Sequence, residues 1–230
     1  MRLDRFLGNL PALNRQQAQR LLASGAVKVD GQTCRDGRHE VRAFQRIELS
    51  EQLLQAGKPA RYFMLHKPVG VVSATVHDEH RTVLDLLAEP DKHELHIGGR
   101  LDLNTSGLLL ITNDGLWSRR LTEPRNELGK VYRVETEQAI DPACVEAFAR
   151  GLYFAYEDLT TRPAELHILT SHSALLTLHE GRYHQVKRMF GHFDNKVIGL
   201  HRESTGPLHL DPHLAPGQYR SLSAAEIALI

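Results

Sequence analysis

The sequence predicts an α+β fold: a mixed or antiparallel β-sheet domain preceded by a small α+β module. Three observations lead there. Strand-like and helix-like stretches alternate irregularly, without the regular βαβ repeat of a parallel sheet. The apolar run Leu108 to Ile111 reads as a strand buried on both faces. The first ~50 residues carry their own set of helices and a hairpin. A stretch at 50–60 with Gln52, Gln55, Gly57, Lys58 and Pro59 reads as a linker. The two parts are read as residues 1–57 and 58–230.

In the first part, Leu3, Phe6, Leu7 and Leu10 recur at helical spacing until Pro11 stops them. Asn14 is an N-cap for a second helix with Ala18, Leu21 and Leu22 facing inward, and Gly25 ends it. Val27 to Val29 and Gln32 to Cys34 form a hairpin about Asp30-Gly31, and Arg46 to Leu49 adds a strand. Arg5, Arg15, Arg20 and Lys28 punctuate these elements.

The second part opens with a strand, Arg61 to Leu65, broken by the turn His66-Lys67-Pro68-Val69-Gly70, and Val71-Val72 resumes a strand. Thr82 to Leu87 is a short helix with Asp85 at the capping-box position. Gly115 to Leu121 is a helix carrying the only tryptophan, Trp117. Lys130 to Val134 is a strand, with the valines expected on one face and Lys130 and Tyr132 on the other. Asp141-Pro142 opens a helix that Gly151 closes. Strands follow at 164–169 and 174–179, then a helix in which Val186, Met189 and Phe190 pack inward. A strand at 197–202 and a last capped helix from Ser223 complete the chain.

Composition bounds the function. The chain has 230 residues, 41% hydrophobic and 24% charged, and no apolar run approaches the ~20 residues of a membrane span. No signal-peptide core follows Met1, so a cytoplasmic location is expected. Cys34 and Cys144 suggest neither a disulfide framework nor a zinc site. Net charge is zero, but residues 1–50 hold nine Arg/Lys against five Asp/Glu, a net of +4, leaving −4 on the remaining 180. A basic module of this kind suits an RNA partner or is a solvated surface. The spacing of His93-Glu94-Leu95-His96 is wrong for a helical zinc motif, and Pro212 breaks the His209/His213 pair. No phosphate-binding loop or serine-hydrolase elbow is present, so no cofactor and no metal are expected.

The densest run of polar groups and glycines is Gly99-Arg100-Leu101-Asp102-Leu103-Asn104-Thr105-Ser106-Gly107, set directly before the buried strand. It holds an Asp, an Arg and a Thr against a rigid element, as reactive groups are commonly held. The run, continuing into Leu-Leu-Leu-Ile-Thr-Asn-Asp-Gly, resembles the catalytic loop of the pseudouridine synthases, in particular the RsuA branch. Lys67-Pro68-Val69-Gly70 resembles that family's first motif, Lys130-Val131-Tyr132 its tyrosine motif, and Glu180 to Met189 its third motif. Residues 1–31, ending in Val27-Lys28-Val29-Asp30-Gly31, are similar to the S4 RNA-binding module.

The resemblance implies Asp102 as the catalytic aspartate, Tyr132 against the target base, Leu200 packed beside that base, and Lys187 as the basic partner of Asp102. Many members carry arginine at the last position, and a lysine makes a point-charge contact instead of a bidentate fork. Arg100 and Thr105 share the aspartate loop, Lys67 helps to shape the site, and Arg182, Arg188 and Arg202 would hold phosphates around a flipped nucleotide. Arg5, Arg15, Arg20 and Lys28 would meet the RNA backbone. A carboxylate held by a cation, Lys187 with Arg100, suits a reaction that develops positive charge at a sugar carbon. The substrate implied is a uridine of 16S small-subunit ribosomal RNA within a partly assembled subunit, converted by a monomer. A relative acting on 23S RNA, or a non-catalytic RNA-binding assembly factor with no need of Asp102, are the alternatives.

Overall fold

In the computed structural model, which describes residues 1–123 and 126–230, Leu3 and Leu7 form the buried face of helix α1 (Leu3–Gly8). Helix α2 (Arg15–Ser24) starts at a capping box: the Asn14 side chain accepts from the Gln17 N–H at 2.9 Å, and Gln17 returns the bond to the Asn14 N–H at 2.8 Å. Gly25 ends it at φ +80°. Strands β1 (Val27–Val29) and β2 (Gln32–Thr33) flank Asp30-Gly31, both with positive φ, the hairpin turn that matches strand twist. Strand β3 (Ile47–Leu49) pairs with β1, and β4 (Gln52–Gln55) pairs with β3, in the order β2-β1-β3-β4. Ala18, Leu22, Val27, Val29 and Ile47 join the two leucines of α1 in one core. Strand β4 corrects the expectation of a linker across 50–60. Ser50 and Glu51 both adopt positive φ and reverse the chain without a glycine to announce it. This unit spans Met1–Ala60.

The second unit, Arg61–Ile230, is built on a mixed nine-stranded sheet. Its strands in chain order are β5 (Tyr62–Lys67), β6 (His96–Ile97), β7 (Ser106–Thr112) and β8 (Lys130–Thr136). After a separate two-stranded hairpin, β9 (Tyr153–Phe154) and β10 (Leu159–Thr160), come β11 (Glu165–Thr170), β12 (Ser173–Leu178), β13 (Val197–Thr205), β14 (Leu208–His209) and β15 (Tyr219–Ser221). The spatial order is β11-β12-β8-β13-β7-β5-β15, with β14 beside β13 and β6 beside β7. Strands β7 and β13 run parallel while their other neighbours are antiparallel. Helices α3 (Gly115–Thr122), α4 (Ala143–Arg150), α5 (Gln185–Gly191) and α6 (Ala224–Ala228) complete the unit.

Alternation along β5 and β7 divides the apolar residues between two cores. Phe63, Leu65, Leu109 and Ile111 join Val134, Phe148, Leu176, Met189 and Phe190 on one face. Met64, Leu108 and Leu110 meet Trp117, Leu121 and Leu222 on the other. The Trp117 indole donates to the Ile227 carbonyl at 3.0 Å and stands edge-on to Tyr62. Asp114 caps α3 by accepting from the Leu116 and Trp117 N–H groups, and takes the Tyr62 hydroxyl proton at 2.8 Å.

Three local expectations are corrected. β5 runs on through His66 and Lys67, because both still pair with β7, and the turn begins at Pro68. Val71-Val72 forms no strand beyond a single bridge from Val72 to Thr82, since Gly70 at φ +82° redirects the chain. On β8, Val131 and Val134 are three apart and lie on opposite faces. Val134 and Tyr132 are buried together, whereas Arg133 and Glu135 are exposed.

The register puts Lys67 opposite Gly107, Gly107 opposite Arg202 and Arg202 opposite Tyr132, one line across four strands. Gly107, at φ +112°, sits so close that a Cβ would overlap the backbone of Arg202. Replacing it with alanine combines strain with a backbone clash. Gly107→Ala is therefore expected to lower the unfolding free energy by about 3 kcal/mol or more, read from the urea midpoint at unchanged m-value.

Candidate active site

The loop between Gly99 and Gly107 is tied down on every side. Ser73 Oγ donates to the Leu101 carbonyl at 2.7 Å and accepts the Leu101 N–H at 3.1 Å. The Thr105 N–H closes a turn onto the Asp102 carbonyl at 3.0 Å, and the Gly70 N–H reaches the Leu103 carbonyl at 2.9 Å. Beneath it lies Lys67, fully buried, whose ammonium donates to the carbonyls of Pro68 at 2.9 Å, Thr105 at 2.8 Å and Leu103 at 3.4 Å. Burial pulls the Lys67 pKa down to about 8, although the charge of Asp102 opposes that fall and Arg202 adds to it. The Lys-Pro-Val-Gly motif is thus a cradle for the aspartate loop.

Asp102 is left partly exposed, with a lysine and a histidine side chain against one oxygen. Lys187 Nζ stands 3.9 Å from Oδ2 and His184 Nε2 stands 3.5 Å from it. The carboxylate faces a cavity of about 770 Å³. Tyr132 and Leu200, both about nine-tenths buried, line it, as do Arg100, Thr105, Lys130, Arg182 and Arg202. The Tyr132 hydroxyl has no hydrogen-bond partner among the described residues. Burial lowers the Lys130 pKa, with Arg202 assisting and Glu180 opposing.

The segment before α5 is held by one buried carboxylate. Glu180 accepts from the Arg162 N–H at 3.0 Å, from Arg182 Nε at 2.9 Å and from Gln185 Nε2 at 2.7 Å. The Gln185 side chain also receives the Arg182 N–H at 3.1 Å. Pinning Arg182 and Gln185 leaves Tyr183 and His184 between them as an outward bulge, with His184 at φ +49°. That conformation is uncommon outside glycine, though less so for His.

Asp102, Tyr132, Lys187, Leu200, Arg100, Thr105, Arg182 and Arg202 line one cavity; the other expected site residues depart from it or play a different part. Lys67 is sealed under the loop and meets no solvent. Arg202, 2% exposed, donates to the carbonyls of Leu108 at 2.8 Å and Gly99 at 3.4 Å, so it braces both ends of the loop and does not present a free fork to phosphate. The helical period separates Arg188 from Lys187 by about 100°, and Arg188 instead pairs with Glu157 and lies 3.7 Å over the Phe154 ring. Arg100 is exposed and forms no ion pair with Asp102 among the described residues. The Thr105 hydroxyl is buried without a partner, and it is the backbone of that residue that builds the loop. Arg5, Arg15, Arg20 and Lys28 are exposed on the first unit. Sequence reasoning assigned no role to His184, Glu180 or Gln185, although all three stand in the third motif. The same holds for Ser73, a lone serine without any motif. Among the described residues no cluster of three potential metal ligands occurs.

A mixed sheet carrying an aspartate loop, a flanking lysine and a tyrosine-walled cavity defines an RNA-modifying enzyme of the pseudouridine synthase type. The family model for RNA pseudouridylate synthase matches residues 61–192, and the S4 domain model matches residues 1–47. Over all 230 residues the chain is 64% identical to the ribosomal small subunit pseudouridine synthase A of Pseudomonas aeruginosa, covering all of both chains. It is 42% identical to the protein of that name from Escherichia coli K12, again over the whole of both. A solved structure described as a pseudouridylate synthase superposes with a TM-score of 0.73 at 38% identity, covering all of both chains. The chain belongs to the RNA pseudouridylate synthase family, with an N-terminal S4 domain.

Lys67 carries a consequence for stability. Its folded pKa of about 8 lies below the ordinary 10.5, so from pH 8 upward the folded state releases a proton that the unfolded chain keeps. Stability then rises with pH across that interval. From pH 9 the rise is opposed by Cys144, whose thiol burial pushes up to about 11, and above pH 10 also by Tyr62, whose phenol is pushed up to about 12 by burial and by its bond to Asp114. Urea unfolding between pH 8 and 9 is expected to show this upward slope in wild type. Lys67→Met should be less stable throughout and should lose a large part of the slope. Lys130, also shifted down, keeps some of it.

Proposed function

We propose that this chain converts one uridine of 16S small-subunit ribosomal RNA to pseudouridine. It would act as a monomer in the cytoplasm on a partly assembled subunit. The observation that carries this reading is the Asp102 carboxylate facing a cavity with Lys187 and His184 within 4 Å. The reaction breaks the bond between uracil N1 and the ribose C1′, turns the base, joins C1′ to C5, releases the C5 proton and protonates the freed N1, so that the product is an isomer of the substrate. No net redox change occurs. Asp102 meets the positive charge that develops at C1′, and Lys187 holds the carboxylate in place.

The base must leave the RNA stack to enter the cavity. Tyr132 and Leu200 supply an aromatic and an aliphatic wall for it. The Tyr132 phenol, without a hydrogen-bond partner among the described residues, is available to take part in the proton transfer at C5. Support for the small-subunit substrate comes from the full-length likeness to enzymes named for that subunit. No helix of the described residues is long and apolar enough to cross a membrane, in keeping with a ribosomal substrate.

The test is tritium release from small-subunit RNA labelled at uracil C5 and partly loaded with ribosomal proteins. Wild type should release label, and the modified position should map to a single uridine. Asp102→Asn should lose at least about 10³-fold in rate while still binding the RNA. Lys187→Met should lose about 10²-fold, with Lys187→Arg recovering part of it. Release from large-subunit RNA alone would move the protein to a sister specificity. An Asp102→Asn protein with undiminished turnover would overturn the catalytic assignment.

A further inference from the structure

Tyr183 is the large aromatic that the site leaves outside. It is 75% exposed, yet its ring lies flat against His184, with centroids 3.9 Å apart and planes at 19°. His184 in turn touches Asp102 at 3.5 Å. The pair therefore forms a two-ring stack running from the reacting carboxylate to solvent. Both residues line the cavity wall. The stack stands on a rigid base, because Glu180 pins the residues on either side of it. His184 holds a backbone conformation that costs free energy, which the surrounding bonds sustain.

An exposed tyrosine with one face covered and the other open is a stacking shelf for a nucleobase. The cavity takes the flipped uridine itself, so the base that reaches the shelf is a neighbour on the same strand. Arg182, next in the chain and about one-third exposed, donates Nε to Glu180 at 2.9 Å and so fixes the residue that precedes the shelf. We propose that Tyr183, backed by His184, is a binding subsite that stacks the nucleotide flanking the target uridine. This subsite holds the strand in register while the uridine is extruded. It rests on the RNA-modifying reading above. Stacking asks only for a π-face, so the subsite tolerates any base and favours the larger purine surface.

The test compares full-length wild type with Tyr183→Leu, which keeps apolar cover over His184 but offers no π-face, and with Tyr183→Trp, which offers a larger one. In the tritium-release assay Tyr183→Leu is expected to raise KM by about 5- to 150-fold with a smaller change in kcat, and Tyr183→Trp to restore the wild-type KM. In parallel, 2-aminopurine replaces each neighbour of the modified uridine in a short RNA bound to Asp102→Asn, which does not turn over. Quenching at one neighbour, lost in the Asp102→Asn/Tyr183→Leu double variant, identifies the stacked base. An unchanged KM in Tyr183→Leu, or a loss that tryptophan fails to repair, overturns the subsite while leaving the enzyme reading in place. Absence of label release by wild type overturns both.

Discussion

The active loop depends on one buried ammonium. Among the described residues Lys67 pairs with no carboxylate; its ammonium donates to three backbone carbonyls, two of them from the aspartate loop. A buried charge is costly when its donors are unmet, and here two of the three donors are met by carbonyls that are in place only when residues 103–105 adopt this turn. Loop shape and ammonium satisfaction are therefore one constraint. The Coulombic pull of Asp102 on Lys67 adds to it, because that carboxylate favours the charged lysine against the effect of burial.

The sheet register explains why the motifs must fall where they do along 230 residues. Lys67, Gly107, Arg202 and Tyr132 come from four strands and meet on one line. At the centre of that line Gly107 contributes no side chain, which lets the backbone of β7 close on β13. Arg202 and Lys67 can then occupy the same face as the loop above them. Arg202 bonds to Gly99 and Leu108, clamping the loop at both ends. Shifting any one strand by a single residue would turn its contribution to the opposite face.

Much of this was legible in sequence, in a pattern that physics accounts for. Capping boxes at Asn14, Thr82 and Ser223 and the hairpin glycine at 31 are local, so their residues announce them. Asp102, Tyr132 and Lys187 stand in the matched motifs, and the fold brings all three to the wall of one cavity. What a basic residue does was not readable. Arg188 and Arg202 both looked like phosphate contacts, and each is engaged by the protein itself. The outcome turns on tertiary partners, a set of carbonyls or Glu157, that sequence distance conceals. Strand β4 was missed for a related reason: a turn made by Ser50 and Glu51 at positive φ carries none of the usual glycine punctuation.

The fate of those basic residues also resolves how a chain with zero net charge can serve a polyanionic substrate. Arg182 and Arg188 are paired with carboxylates, so their fields are largely cancelled. Lys67 and Arg202 are satisfied by carbonyl oxygens, which meet the hydrogen-bonding requirement without removing the charge. Half-buried Lys130 lies close enough that Arg202 depresses its pKa. Three cations are thereby concentrated beneath one cavity whose low-dielectric walls strengthen their field. Asp102 faces them from the cavity wall, and the phosphates on either side of an extruded nucleotide would enter the same field. Net charge averages over the surface, whereas the site is governed by which cations are neutralised by anions and which only by dipoles.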